Sequence, residues 1–147
     1  MKIQTLITDI NQEDLVNLFS TATYGSEYLD CAFRKSDYYG TDLEDENDCR
    51  EDKWAKLLLA GKSIFVYDYY SEEESYGNLP QKWIPEKEAM RYELTLEDIK
   101  KAVQSAVNNS EYTCTYAMDW INDSCNFDLI EAESLLQHIV FGEVIYG

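Results

Sequence analysis

Apolar residues recur at helical spacing in several stretches, and these anchor the reading of the chain. Over 11–23, Leu15, Val16, Leu18, Phe19 and Ala22 fall on one side of a 3.6-residue turn. Asp9 or Asn11 offers an N-cap there, Glu13 and Asp14 suit the first turn, and Gly25 stands where a stop is expected. The cleanest stripe is Leu96, Ile99, Ala102, Val103, Ala106 and Val107. Thr95 and Asp98 form a cap-plus-acid pair before it, and Asn108-Asn109 closes it. Asp128 caps a final helix carrying Leu129, Ala132, Leu136, Ile139 and Val140. A less regular helix over 48–60 would bury Trp54, Leu57 and Leu58 and end at Gly61.

Strand signals are fewer. Residues 63–70, Ser-Ile-Phe-Val-Tyr-Asp-Tyr-Tyr, are β-branched and aromatic and form the best strand in the chain. Residues 3–8 read as a short strand or arm, and 92–95 as a short extended piece. The stretch 27–39 suits a strand or a short helix, as does 112–121. Residues 71–90 combine three successive glutamates, a Tyr-Gly-Asn turn and both prolines, which predicts a long loop or hairpin insertion. The end, 141–147, either continues the last helix or turns into a small strand. With 147 residues, no repeat and no linker, the pattern predicts one α+β domain. Three or four helices would pack on a small, mainly antiparallel sheet.

Charge changes this picture most. The chain holds 29 acids against 12 bases, for a net charge of −17. Such a field repels nucleic acid and anionic membranes and attracts basic surfaces, including the grooves of nucleic-acid-binding proteins. High negative charge also serves solubility alone, and both readings stand. Seven acids and one arginine crowd into 41–52, where no apolar stripe begins before Trp54. That segment reads as an acidic loop running into a helix. The opening nine residues lack the apolar run of roughly 7–15 residues that marks a signal peptide. No stretch approaches the ~18 apolar residues of a membrane span. A cytoplasmic setting with reduced thiols is therefore expected for Cys31, Cys49, Cys114 and Cys125.

Candidate chemistry is thin. No cysteine stands in a CxxC pair, so these thiols and His138 do not suggest a zinc site. The run 42–48 lacks the glycine and twelfth-position glutamate of a calcium loop. There is no nucleophile elbow, phosphate-cradling glycine loop or H-E-x-x-H motif, and a lone His138 reads as a surface or capping residue. No catalytic residue, metal or cofactor is assigned. The remaining candidate is an acidic, tyrosine-bearing face. Asp48 and Asp52 at i and i+4, or Asp128 and Glu131 at i and i+3, share a helix face about 5–6 Å apart. Ordered carboxylates at such intervals can occupy a groove built for a phosphate backbone. The candidate partner-binding residues are Asp42, Glu44, Asp45, Glu46, Asp48, Glu51, Asp52, Tyr38, Tyr39, Glu72, Glu73 and Glu74. Tyr67, Tyr69, Tyr70 and Tyr76 could add aromatic contacts.

The segment 92–99, Tyr-Glu-Leu-Thr-Leu-Glu-Asp-Ile, the helix after it and the ending Gln137-His-Ile-Val-Phe141-Gly-Glu-Val-Ile-Tyr146-Gly carry a resemblance. They resemble a largely uncharacterised family of small acidic bacteriophage and mobile-element proteins ending in Q-x-x-x-F-G-E-x-x-Y-G. Thr23-Tyr-Gly-Ser-Glu-Tyr28 stands where that family has a glycine-aromatic segment, and 60–66 would fill its glycine turn and strand. The family usually shows a double glycine and a Trp early on, where this chain has one Gly and tyrosines. The resemblance implies a phage gene expressed in a bacterial cytoplasm and hands over no catalytic residue. Small acidic phage proteins include inhibitors of host defence, anti-CRISPR proteins among them. The expectation is thus a protein that blocks a basic host protein, one that handles nucleic acid or serves defence, without itself binding nucleic acid or membrane. A small enzyme or nucleotide-signal binder with a hidden pocket is the alternative, and an oligomeric accessory phage protein is a third.

Overall fold

A computed structural model describes residues 9–24, 26, 28–108, 113–122 and 127–146. The expected strand at 3–8, the stop at Gly25 and Cys125 lie outside them. Helix α1 (Gln12–Thr23) starts at Asn11, whose side chain accepts from the Asp14 amide while Asp14 accepts from the Asn11 amide. That reciprocal box satisfies two donors that the first turn leaves without helical partners. The undecided stretch 27–39 resolves into both of its alternatives: strand β1 (Leu29–Ala32) and the one-turn helix α2 (Lys35–Tyr38). An acidic loop follows, and α3 (Arg50–Leu59) begins two residues later than expected, burying Trp54, Ala55, Leu57 and Leu58. The chain then reverses at Gly61, whose φ of +81° suits a residue without Cβ.

Strand β2 (Ile64–Asp68) is buried along its whole length. After an irregular segment come β3 (Gln81–Ile84), a 3-10 turn at Pro85–Lys87, and β4 (Ala89–Leu94). The sheet order is β1-β2-β4-β3, antiparallel throughout. A hairpin does begin within 71–90, but its second strand, β4, runs on to Leu94 and lies in the middle of the sheet. Helices α4 (Leu96–Asn108), α5 (Thr113–Asn122) and α6 (Leu129–Phe141) complete the domain. The α+β architecture holds, with six helices among the described residues because α2 and the undecided α5 are both helical.

Side chains alternate across the sheet. Leu29, Cys31, Ile64, Val66, Met90, Tyr92 and Leu94 join the main core with the helices. Helices close over that core in a chain of contacts: α3 on α1, α1 on α6, α6 on α5 and α5 on α4. Trp120 ties α5 to α1 by donating its indole N–H to the Asp14 carbonyl at 2.7 Å. On the opposite face Phe65, Tyr67 and Ala89 form a smaller cluster. Two guanidiniums lie over the Phe65 ring, Arg34 at 4.5 Å and Arg91 at 4.3 Å, and the Lys87 ammonium lies 5.1 Å from Tyr67. Long basic side chains thus shield a sheet face that no helix among the described residues covers.

Candidate functional site

The acidic loop is built around one buried phenol. Tyr38 ends α2 with its ring fully enclosed, edge-on to Phe33 and Tyr39. Its hydroxyl accepts from the Asp45 amide at 2.8 Å and lies 2.8 Å from the Asp48 carboxylate and 3.0 Å from the Asp45 carbonyl. A hydroxyl has one proton to give, and the charged, closer Asp48 oxygen is the stronger acceptor. Lys56 binds the same Asp48 oxygen, Nζ to Oδ2 at 2.6 Å, and also reaches the Leu43 carbonyl. Burial pushes the Asp48 carboxyl up, but the Lys56 and Tyr38 hydrogen bonds and the Lys56 and Lys53 charges outweigh it and hold it below its ordinary value.

The loop backbone is pinned at further points. Gly40 turns the chain at φ +81°, and its amide donates to Glu44. Thr41 donates its hydroxyl to the Tyr38 carbonyl, and its Oγ1 accepts from the Leu43 amide. Asp45 folds its carboxylate onto the Asn47 amide. Such Asx and hydroxyl turns hold a surface loop without regular structure. Asp42, Glu44, Asp45 and Glu46 remain exposed on it, and none has an ion-pair partner among the described residues.

The other candidate residues divide differently. Tyr38 is a correction: it is 0% exposed, so it anchors the loop from inside and presents no surface to a partner. Asp48 serves the same anchor. Asp52 is engaged in capping α3, accepting from the Cys49 amide at 3.1 Å, and Glu51 lies 3.6 Å from Arg50. Tyr39 is 45% exposed and accepts from Lys53 at 3.0 Å. Glu72, Glu73 and Glu74 are exposed on a separate loop after β2, and no hydrogen bond or ion pair among the described residues joins them to 41–48. Glu72 and Glu73 adopt φ of +48° and +71°, a conformation that strains residues carrying a Cβ. Glu74 accepts from the Tyr76 hydroxyl at 2.7 Å, which pushes that phenol up to about 12. Tyr67 lies on the helix-free sheet face, Tyr69 and Tyr70 are exposed beyond β2, and Tyr76 packs on Phe141.

The distinctive ending has a structural role that its pattern did not disclose. Gly142 closes α6 at φ +79°. Gln137, 1% exposed, then clamps the tail: its Oε1 accepts from the Ile145 and Tyr146 amides, and its Nε2 donates to the Tyr146 carbonyl. The Tyr146 ring stacks on Tyr28 and its hydroxyl reaches both oxygens of the fully buried Asp68, at 3.0 and 2.8 Å. Burial raises the Asp68 carboxyl, against the Tyr70 amide and Tyr146 hydroxyl that favour its charge. The segment is thus neither a helical extension nor a strand but a strap onto the sheet.

His138 is a second correction. It is buried beside a cavity of about 410 Å3 between α4, α6 and the 77–79 turn, with Lys101 and Ser105 on the opposite wall. Gly77 approaches α6 so closely that a Cβ would meet the Phe141 carbonyl oxygen at 2.9 Å. Cys31 is buried and Cys49 exposed, both as free thiols. Among the described residues no three His, Cys, Asp or Glu side chains converge as a metal site. Nor does any helix among them have the length and apolarity to cross a membrane. No protein-family model matches the chain, and neither a curated protein nor a solved structure is significantly similar to it.

Proposed function

We propose that this chain is an acidic binding protein, of phage or mobile-element origin, that occupies the basic surface of a host nucleic-acid-handling or defence protein. The observation that carries this reading is the exposed set Asp42, Glu44, Asp45 and Glu46 on a backbone held by the Tyr38 hydroxyl. A carboxylate array stands in for phosphates only if its geometry is set before binding, since ordering a loose loop would consume the interaction it gains. Here the ordering is internal to the fold.

The test uses the intact chain and the variant D42N/E44Q/D45N/E46Q as baits in a bacterial lysate. Expected is a nucleic-acid-binding protein retained by the wild type, released by salt and by added DNA, and absent from the variant. Equal retention by both baits, or release by salt but never by nucleic acid, overturns the reading. The four side chains are exposed, and E44Q and D45N each keep an oxygen to accept from the Gly40 and Asn47 amides. Circular dichroism and the melting temperature of the variant should therefore stay close to wild type.

A further inference from the structure

A second site of opposite character lies between β1, α2 and the first turns of α3. A cavity of about 300 Å3 opens there, and its charged lining residues are Lys35, Arg50 and Lys53. No carboxylate among the described residues lines it. In a chain of 29 acids and 12 bases, charged lining residues should be mostly acidic, so a wholly cationic set runs against composition. The walls are aromatic: Phe33, Tyr39 and Trp54. Arg50 lies over the Trp54 ring at 5.0 Å and Lys53 over Tyr39 at 5.3 Å.

These cations are weakly engaged. Arg50 approaches Asp30 and Glu51 only at 3.5 and 3.6 Å, beyond ordinary hydrogen-bond length, and donates to the Thr23 hydroxyl at a long 3.4 Å. Lys35 is exposed, and its ammonium has no ion-pair or hydrogen-bond partner among the described residues. Lys53 donates to the Tyr39 hydroxyl, and that hydrogen bond raises its own pKa, so it stays charged. Cys31 at the cavity wall is pushed far up by burial and then by Asp30, so it brings no competing anion. Like charges around one small cavity repel each other until an anion enters.

We propose that this cavity binds a nucleoside monophosphate, with the phosphate held by Lys35, Arg50 and Lys53 and the base stacked on Phe33 and Tyr39. A phosphate monoester carries about −1.5 to −2 charge at neutral pH, which matches three cations better than a single carboxylate does. The arginine fork suits its oxygens, and an exposed tyrosine ring offers a sequence-tolerant stacking face. The volume lies at the lower end of small-molecule pockets, which start at about 300 Å3, and selects a mononucleotide over a dinucleotide. This inference is independent of the acidic loop.

Calorimetric titration of the full chain with AMP tests it, with adenosine, inorganic phosphate and phenyl phosphate as separate arms. Saturable AMP binding is expected, with adenosine and inorganic phosphate each at least about tenfold weaker. K35Q/K53Q should weaken AMP by about tenfold or more, while K100Q on α4 leaves it unchanged. Y39L should weaken AMP but not inorganic phosphate. No saturable AMP binding below about 10 mM, or wild-type affinity in K35Q/K53Q, overturns the proposal. So does inorganic phosphate binding as well as AMP, or phenyl phosphate binding where AMP does not. If circular dichroism shows the double variant unfolded, K35Q alone carries the same comparison, since Lys35 is exposed.

Discussion

At the scale of single residues, two oxygen-bearing groups control local order. Tyr38→Phe removes one hydroxyl and leaves both the Asp45 amide and the Asp48 carboxylate short of a partner. The ring stays, so the core keeps its packing and the loop alone loosens. Amide exchange at Asp45 should speed up by about tenfold or more, the worth of one ordinary hydrogen bond, with little change in core amides. Equal protection in both proteins would mean that the loop is held by something other than this phenol. Glu131 gives a pH prediction. Burial, then its hydrogen bond with Asp119 and the charges of Asp119 and Asp128, push its carboxyl up to about 7 from an ordinary 4.5. One oxygen is buried with no partner, so the protonated form suits the site. The folded state therefore holds a proton that the unfolded chain releases. Its contribution to stability is complete below about 4.5 and is lost as pH rises through about 7. Melting temperature should fall more steeply across that window in the wild type than in E131Q. Asp48 and Glu93, held below their ordinary values by Lys56 and Arg34, act with the opposite sign and lose their contribution as pH falls through the acid range.

At the scale of elements, the strap after α6 is the feature most open to test. Gln137→Ala deletes three hydrogen bonds to the tail backbone at once. Release of the tail also takes Tyr146 from buried Asp68, so the loss should be about 1–3 kcal/mol in urea unfolding, with amides 145 and 146 exchanging freely. Unchanged stability would show that ring stacking on Tyr28 holds the strap unaided. This strap also shows what the sequence could disclose. Helix α4 was legible because its stripe repeats over three turns behind a Thr95–Asp98 cap, and both cap bonds form. Strand β4 was legible, because charged Arg91 and Glu93 between Met90, Tyr92 and Leu94 make the period-two pattern of a half-buried strand, and the acidic, proline-bearing run before it obscured only where it starts. The one-turn helix α2 has no periodicity to read, so nothing in the pattern distinguished buried Tyr38 from exposed Tyr39. The acidic loop was legible as a loop. The bonds that fix it, and the convergence of Lys35, Arg50 and Lys53, depend on tertiary contacts among β1, α2 and α3 that no local pattern encodes.

At the scale of the whole molecule, the two proposed sites divide the charge. The net −17 is a long-range repulsive load on the folded state, screened over about 8–10 Å at ordinary ionic strength. The ion pairs among the described residues that salt would weaken are few, and Arg34–Glu93, with side chains 43% and 36% exposed, contributes little in any case. Lys56–Asp48, at 22% and 9%, is better shielded and should persist. Repulsion therefore outweighs pairing, and the melting temperature should rise between about 0.02 and 0.5 M NaCl. A complex made through the 42–46 loop should respond the other way, since salt screens attraction between unlike surfaces. The two signs can be read on one sample series. D42N/E44Q/D45N/E46Q takes the net charge from −17 to −13, so its salt-dependent rise should be shallower as its binding disappears. If the wild-type melting temperature stays flat or falls with salt, the loop carboxylates are already balanced within the fold, and they carry no unspent field for a basic partner to meet.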